Sequence, residues 1–125
     1  ATRGQVLTGD QVLIGGFIVG GSQPKTVCVR ALGPSLAAAR VANALSDPTL
    51  ELRDASGSIL ASNNNWGDGP QAAQIQAEGL APSQPAESAV QATLNPGSYT
   101  AIVRGVNGGT GIGLVEIYDL SPAPN

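Results

Sequence analysis

The sequence predicts an all-β chain, an antiparallel β-sandwich of jelly-roll-like type with about eight strands and two short helical insertions. Three observations predict it. Strand-length apolar or alternating segments recur at spacings of roughly 8–12 residues. Seventeen Gly and nine Pro punctuate them at turn positions. Only 12% of the residues are charged, so Ser, Thr, Asn and Gln must supply the polar surface.

A chain of 125 residues makes one domain, and at this size folding buries roughly two-thirds of the surface an unfolded chain exposes. The hydrophobic share of 42% is almost wholly Ala, Val, Leu and Ile, because the aromatics are only Phe17, Trp66, Tyr99 and Tyr118. The core is therefore expected to be aliphatic. The domain is expected to span 1–120, with Ser121-Pro122-Ala123-Pro124-Asn125 as a linker or tail.

Along the chain, Val6 and Leu7 open a first short strand and Gly9-Asp10 marks a turn. Gln11 to Val19 reads as a second strand, apolar on both faces and so expected to be covered on both sides, with Gly15-Gly16 marking a bulge or the close approach of another backbone. Lys25 to Leu32 alternates, with Val27, Val29 and Ala31 on one face and Thr26, Cys28 and Arg30 on the other. Ser35, in Gly33-Pro34-Ser35, is placed to cap a short Ala-rich helix over Leu36 to Leu45.

Thr49 to Arg53 and Ser58 to Ser62 flank Asp54-Ala55-Ser56-Gly57, the composition of a type I turn in a β-hairpin. An irregular loop from Asn63 to Gly69 follows. Pro70 and Gly79 bracket a second short helix, Gln71 to Glu78, with Ile75 as its apolar contact. Ser88 to Leu94, Ser98 to Val106 and Thr110 to Leu120 then read as a meander, turned by Asn95-Pro96-Gly97 and Asn107-Gly108-Gly109.

Composition excludes several functions. The net charge is -3 and the five Arg and one Lys are scattered, so nucleic acid is not an expected partner. The longest apolar stretch, Val12 to Gly21, is about half the length of a spanning helix, so no membrane insertion is expected. Cys28 is the single cysteine, which rules out an intrachain disulfide. The chain begins at Ala1, contains no Met, and shows no charged segment followed by an apolar one, the pattern of a mature or excised segment.

Catalysis is not expected. There is no His to activate Ser35 or Cys28, and Cys28 lies mid-strand between valines, where a thiol behaves as a small hydrophobe. Glu51 sits two residues from Arg53 on one strand face, while Asp54, Asp68, Glu78 and Glu87 fall in turns, loops or helix ends, where solvated or capping carboxylates are the rule. The run Gly108 to Gly113 leads into a strand, whereas a phosphate loop needs a helix behind it, so it reads as a hairpin turn.

Two surface features remain. The first segment could pair within its own domain or add to a neighbour's sheet edge, which makes Gln5, Val6, Leu7 and Phe17 candidate assembly residues. The loop Asn63, Asn64, Asn65, Trp66 and Asp68 is the candidate binding loop. Its oxygens suit Ca2+, although their spacing does not complete an EF-hand ligand set; the alternative is a cluster of Asx turns closed by Trp66 on the sandwich rim, and no cofactor is expected.

Pro48 to Asn63, Glu87 to Val90 and Leu94 to Gly105 together resemble bacterial pre-peptidase C-terminal-type domains, secreted β-sandwich modules appended to exported enzymes and surface proteins. Thr8 to Val19 and Arg30 to Leu36 are similar to an uncharacterised module, often in tandem, of large exported bacterial proteins. The resemblances imply export and a non-enzymatic role, and bring no functional residues with them. The expectation is an extracellular or cell-surface structural module that partners copies of itself or neighbouring domains, with a polysaccharide- or matrix-binding accessory module as the alternative.

Overall fold

The computed structural model describes residues 1–120; the expected tail, residues 121–125, lies outside the described residues. Eight strands form two four-stranded antiparallel sheets. They are β1 (Thr2–Val6), β2 (Leu13–Val19), β3 (Lys25–Leu32), β4 (Pro48–Arg53), β5 (Ile59–Asn63), β6 (Ser88–Leu94), β7 (Gly97–Gly105) and β8 (Gly111–Asp119). One sheet runs β1-β8-β3-β6 and the other β2-β7-β4-β5. Two short helices, α1 (Pro34–Ala38) and α2 (Ala72–Ala77), lie in the connections.

The sheets face each other through alternate residues. Leu50, Leu52, Val29, Val103, Val115, Val6 and Ala101 are buried between them, the aliphatic core the composition implies. The alternation of β3 is used on both sides: Val27, Val29 and Ala31 enter this core, while Cys28 is buried on the outer face under Ile75 of α2. Because α2 is too short to be stable alone, this packing is what holds it.

The structure corrects four expectations about the course and cover of these elements. First, β2 is covered on its inner face only, and outward-facing Ile14 and Ile18 are 51% and 78% exposed. Its register with β7 runs unbroken, so Gly15-Gly16 makes no bulge; instead a Cβ on Gly15 would lie 2.9 Å from Val115 Cγ1 of the facing sheet. The close approach is that of a side chain, not of a backbone.

Second, the helix after Ser35 stops at Ala38. Arg40 turns left-handed (φ 68°), Val41 N–H reaches back to Leu36 O, and the chain swings Leu45 into the core, where its N–H donates to Ile112 O. Burying Leu45 outweighs continuing an uncharged Ala-rich helix.

Third, the last three strands are not a meander. β6 pairs with β3 in one sheet, β7 lies between β2 and β4 in the other, and β8 returns between β1 and β3. Fourth, and for the same reason, the glycine run before β8 is not a hairpin turn. A 3-10 turn, Val106–Gly108, carries the chain across the end of the sandwich, anchored by Val106 N–H on Asp47 O.

The predicted hairpin is present between β4 and β5. Asp54 Oδ1 accepts from the N–H groups of Ser56 and Ser58 and from Ser56 Oγ, and Gly57 takes the left-handed position at φ 87°.

Candidate functional site

The loop after β5 is built from its own polar side chains. Asn63 Nδ2 donates to Asn65 O at 3.1 Å while its Oδ1 accepts from Ala89 N–H of β6 at 3.1 Å. Trp66–Asp68 forms a 3-10 turn, closed by Asp68 N–H on Asn65 O and by Asn65 Nδ2 on Asp68 Oδ2 at 3.4 Å. The half-buried Trp66 ring packs against the cluster of Cys28, Ile75 and Ala89.

Beneath this loop lie two consecutive polar residues, both fully buried: Glu87 and Ser88. Glu87 Oε2 accepts from the N–H groups of Gly33 and Ser35, each at 2.9 Å, and Oε1 from Ser35 Oγ at 2.5 Å. Its backbone O accepts from Trp66 N–H at 2.9 Å. Ser88 Oγ lies 2.7 Å from Pro48 O and 2.6 Å from Asn64 O, so its one proton serves both carbonyls. This clasp joins the start of α1, the start of β4 and the Trp66 loop at one end of β6. Fixed donors around a buried carboxylate keep such a junction rigid.

Above the clasp, Trp66, Asp68, Pro82, Ser83, Pro85 and Ala86 line a groove of about 380 Å³. On the other side of the loop, Asn63, Asn64, Asn65 and Asp68 join Thr49 and Glu51 around a more open polar hollow of about 640 Å³. All five candidate loop residues thus line one of two adjoining concavities. Their arrangement can present an aromatic face beside amide and carboxylate groups, the means by which proteins hold polar ligands that also have apolar faces.

No protein-family model matches the chain, and no curated protein matches it. Among solved structures, the chain is similar to the pre-peptidase C-terminal domain of a collagenase from Bacillus anthracis, with a TM-score of 0.57 and 14% identity over 94% of this chain and 86% of that one. The two share a fold. A β-sandwich of that fold therefore frames both the groove and the clasp beneath it.

Within that sandwich the other candidate residues fall on a different side. β1 lies over β2, close enough that a Cβ on Gly4 would meet Leu13 Cδ1 at 3.0 Å. Gln5 is exposed opposite Ile112 of β8, Val6 is buried in the core, Leu7 is half-buried in the following turn, and Phe17 is half-buried and stacked on Tyr99 with centroids 5.6 Å apart. β1 is thus paired within its own domain, and Val6 and Phe17 serve its interior.

Glu51 and Glu116, like Glu87, are held by structural partners. Glu51 Oε1 accepts from Arg104 Nη1 at 2.6 Å and Arg53 Nη2 at 2.9 Å. Burial alone would raise its pKa, but these hydrogen bonds and the two positive charges together hold it below the ordinary carboxylate value. Arg30 Nη2 donates to Glu116 Oε1 at 2.5 Å, and its guanidinium lies 5.3 Å from the Tyr118 ring centroid. Among the described residues, no three His, Cys, Asp or Glu side chains gather around a common point.

Ser35 and Cys28 also find structural roles. Ser35 is not a helix cap: α1 has Gly33 at its N-cap with no side-chain cap, and the free amides are taken by Glu87 from 54 residues away. Burial pushes the Cys28 thiol up to about 11, against the opposing charge of Arg30. Glu87 and Ser88 are the site residues that sequence reasoning missed; the signal was the pair of unsatisfied amides at Gly33-Pro34-Ser35, which demanded an acceptor that their immediate neighbours do not supply.

Proposed function

We propose that this chain is a non-enzymatic accessory module of an exported bacterial protein, working outside the cell, and that it contacts polysaccharide or matrix protein through the Trp66 groove. The observation that carries this reading is Trp66 itself: a half-buried aromatic anchored through its own N–H to the Glu87 backbone and lining a groove edged with proline. A pre-organised aromatic loses little freedom when a ligand stacks on it, which favours binding. The fold likeness to one domain of a collagenase supports the accessory role, and the enlistment of Glu51, Glu87 and Glu116 in structural contacts supports the absence of acid-base chemistry.

The test is retention on insoluble polysaccharide and on fibrillar matrix protein such as collagen. The intact chain should be retained. Changing the exposed groove residues together, Asp68→Ala with Pro85→Ala, should lower retention at least about tenfold with the fold intact by circular dichroism. Equal retention of the double variant would defeat the groove as the contact site.

A second reading is favoured by the side of the sandwich where β1 and β2 lie together. There the chain would be a structural subunit, a filament component or one bead of a cell-surface protein, associating with copies of itself through a sheet edge. Light scattering of the purified chain over a concentration series separates this reading from the first.

A further inference from the structure

Each sheet has two edge strands, and three of the four edges are blunted. β1 is five residues long and carries Arg3. β5 is equally short, and its pairing with β4 is broken by a register shift at Leu52/Arg53. On β6, outward-pointing backbone donors are already taken: Ala89 N–H by Asn63 Oδ1 and Gln91 N–H by Gln71 Oε1 at 2.9 Å. Short length, charge, bulges and side-chain caps are the means by which sheets avoid pairing with other chains.

β2 has none of them. It is seven residues long, pairs with β7 in unbroken register, and lies in a stretch from Gln11 to Pro24 without a charged residue or, before Pro24, a proline. Among the described residues, no strand pairs with its other edge. Ile14 and Ile18 stand exposed on its outer face, and Ile14 lies beside Ile102 of β7.

The sequence of β2 is also self-complementary. Turned about a two-fold axis at Gly16, Ile14 of one copy meets Ile18 of the other, Leu13 meets Val19, and Phe17 meets Gly15. The outer face then carries matched aliphatic pairs. On the inner face Phe17 of one copy lies opposite Gly15 of the other, whose side-chain space Val115 already fills, so the outer-face aliphatic pairs carry the side-chain complementarity. A two-fold contact uses one patch twice, so a strand that reads the same way from both ends suits it.

We propose that two copies of this chain pair antiparallel through their β2 edges about Gly16, joining two four-stranded sheets into one of eight strands. The inference deepens the self-association reading and rests on it. It assigns the contact to β2 instead of β1, and makes the product a closed dimer instead of an open filament.

The test is analytical ultracentrifugation of the full chain from about 1 µM to 1 mM, the range expected of a small edge-to-edge interface. The intact chain should move from 12.4 kDa to twice that mass. Gly16→Lys should remain monomeric throughout, because two ammonium groups would meet on the axis, while in the monomer a Cβ at Gly16 has nothing nearer than Tyr99 O at 4.0 Å. Ile18→Lys serves as a second edge variant should Gly16→Lys fail to fold. Ile59→Lys, 54% exposed on β5, should dimerise as the intact chain does.

An intact chain that stays monomeric overturns both the self-association reading and this inference. A dimer that survives folded Gly16→Lys or Ile18→Lys overturns the assignment to β2 alone. Loss of the dimer in Ile59→Lys would place the contact at β5 and also overturn the assignment to β2.

Discussion

Replacing Glu87 by Ala removes the acceptor of three donors at once: the N–H groups of Gly33 and Ser35 and the hydroxyl of Ser35. Hydrogen bonds to a charged group contribute about 1.5–3 kcal/mol each. Three would sum to roughly 4.5–9 kcal/mol, less what is regained because a buried carboxylate no longer has to be desolvated. Glu87→Ala should therefore destabilise the domain by about 3–5 kcal/mol, a large part of the stability of a domain this size. Glu87→Gln keeps one oxygen for the two amides. Its NH2 group faces Ser35 Oγ, whose proton can turn to Ser83 Oγ, 2.8 Å away. That variant should cost only about 1–2 kcal/mol. Urea unfolding with matched slopes measures both, and the Ala variant should melt about 10–20 °C lower. Equal costs for the two variants, or a cost below about 1 kcal/mol for Ala, would refute the clasp as the junction holding α1, β4 and the Trp66 loop.

Other outcomes follow from the same geometry. Since Glu51 is held below its ordinary pKa in the folded chain, its contribution is complete above the unfolded carboxylate value and is lost as pH falls through the lowered one. Glu51→Gln should accordingly flatten the loss of stability below about pH 4.5, measured by urea midpoints across an acid series. Cys28, fully buried with its thiol raised to about 11, should resist a disulfide reagent at pH 8 in the folded chain and react fully in denaturant; rapid labelling without denaturant would contradict its burial. Gly33→Ala should destabilise by about 3 kcal/mol or more on thermal or urea unfolding, since its Cβ would fall 2.1 Å from Leu45 O, a backbone atom held by the insertion of Leu45 into the core.

Local patterns in the sequence predicted the local structure well. The alternation of Lys25 to Leu32, the Asp54-to-Gly57 turn and the Pro70 and Gly79 brackets each concern contacts within a few residues, and each appears where it was expected. What failed was long-range. Asn95-Pro96-Gly97 and Asn107-Gly108-Gly109 say that the chain changes direction, but both kinds of return, to the same sheet or to the facing one, use the same turn residues. The two-faced apolar pattern of β2 implied cover on both sides, yet nothing within Leu13 to Val19 records that Ile14 and Ile18 stay exposed among the described residues. Glu87 looked like a carboxylate in a connection because its three donors lie more than fifty residues earlier. The five loop residues at Asn63 to Asp68 were identifiable as polar and aromatic together. The Pro82, Ser83 and Pro85 wall that turns them into a groove became visible only in three dimensions.

The central claim, that the module works by contact at Trp66, can be read from the unaltered chain. Trp66 is the single tryptophan, so its emission reports the groove without a label. Titration with soluble polysaccharides and with collagen peptides should give a saturable change in its intensity and emission maximum, following the same isotherm as binding measured by calorimetry. Binding seen by calorimetry with no change at Trp66, or no binding to any of these ligands, would contradict the account.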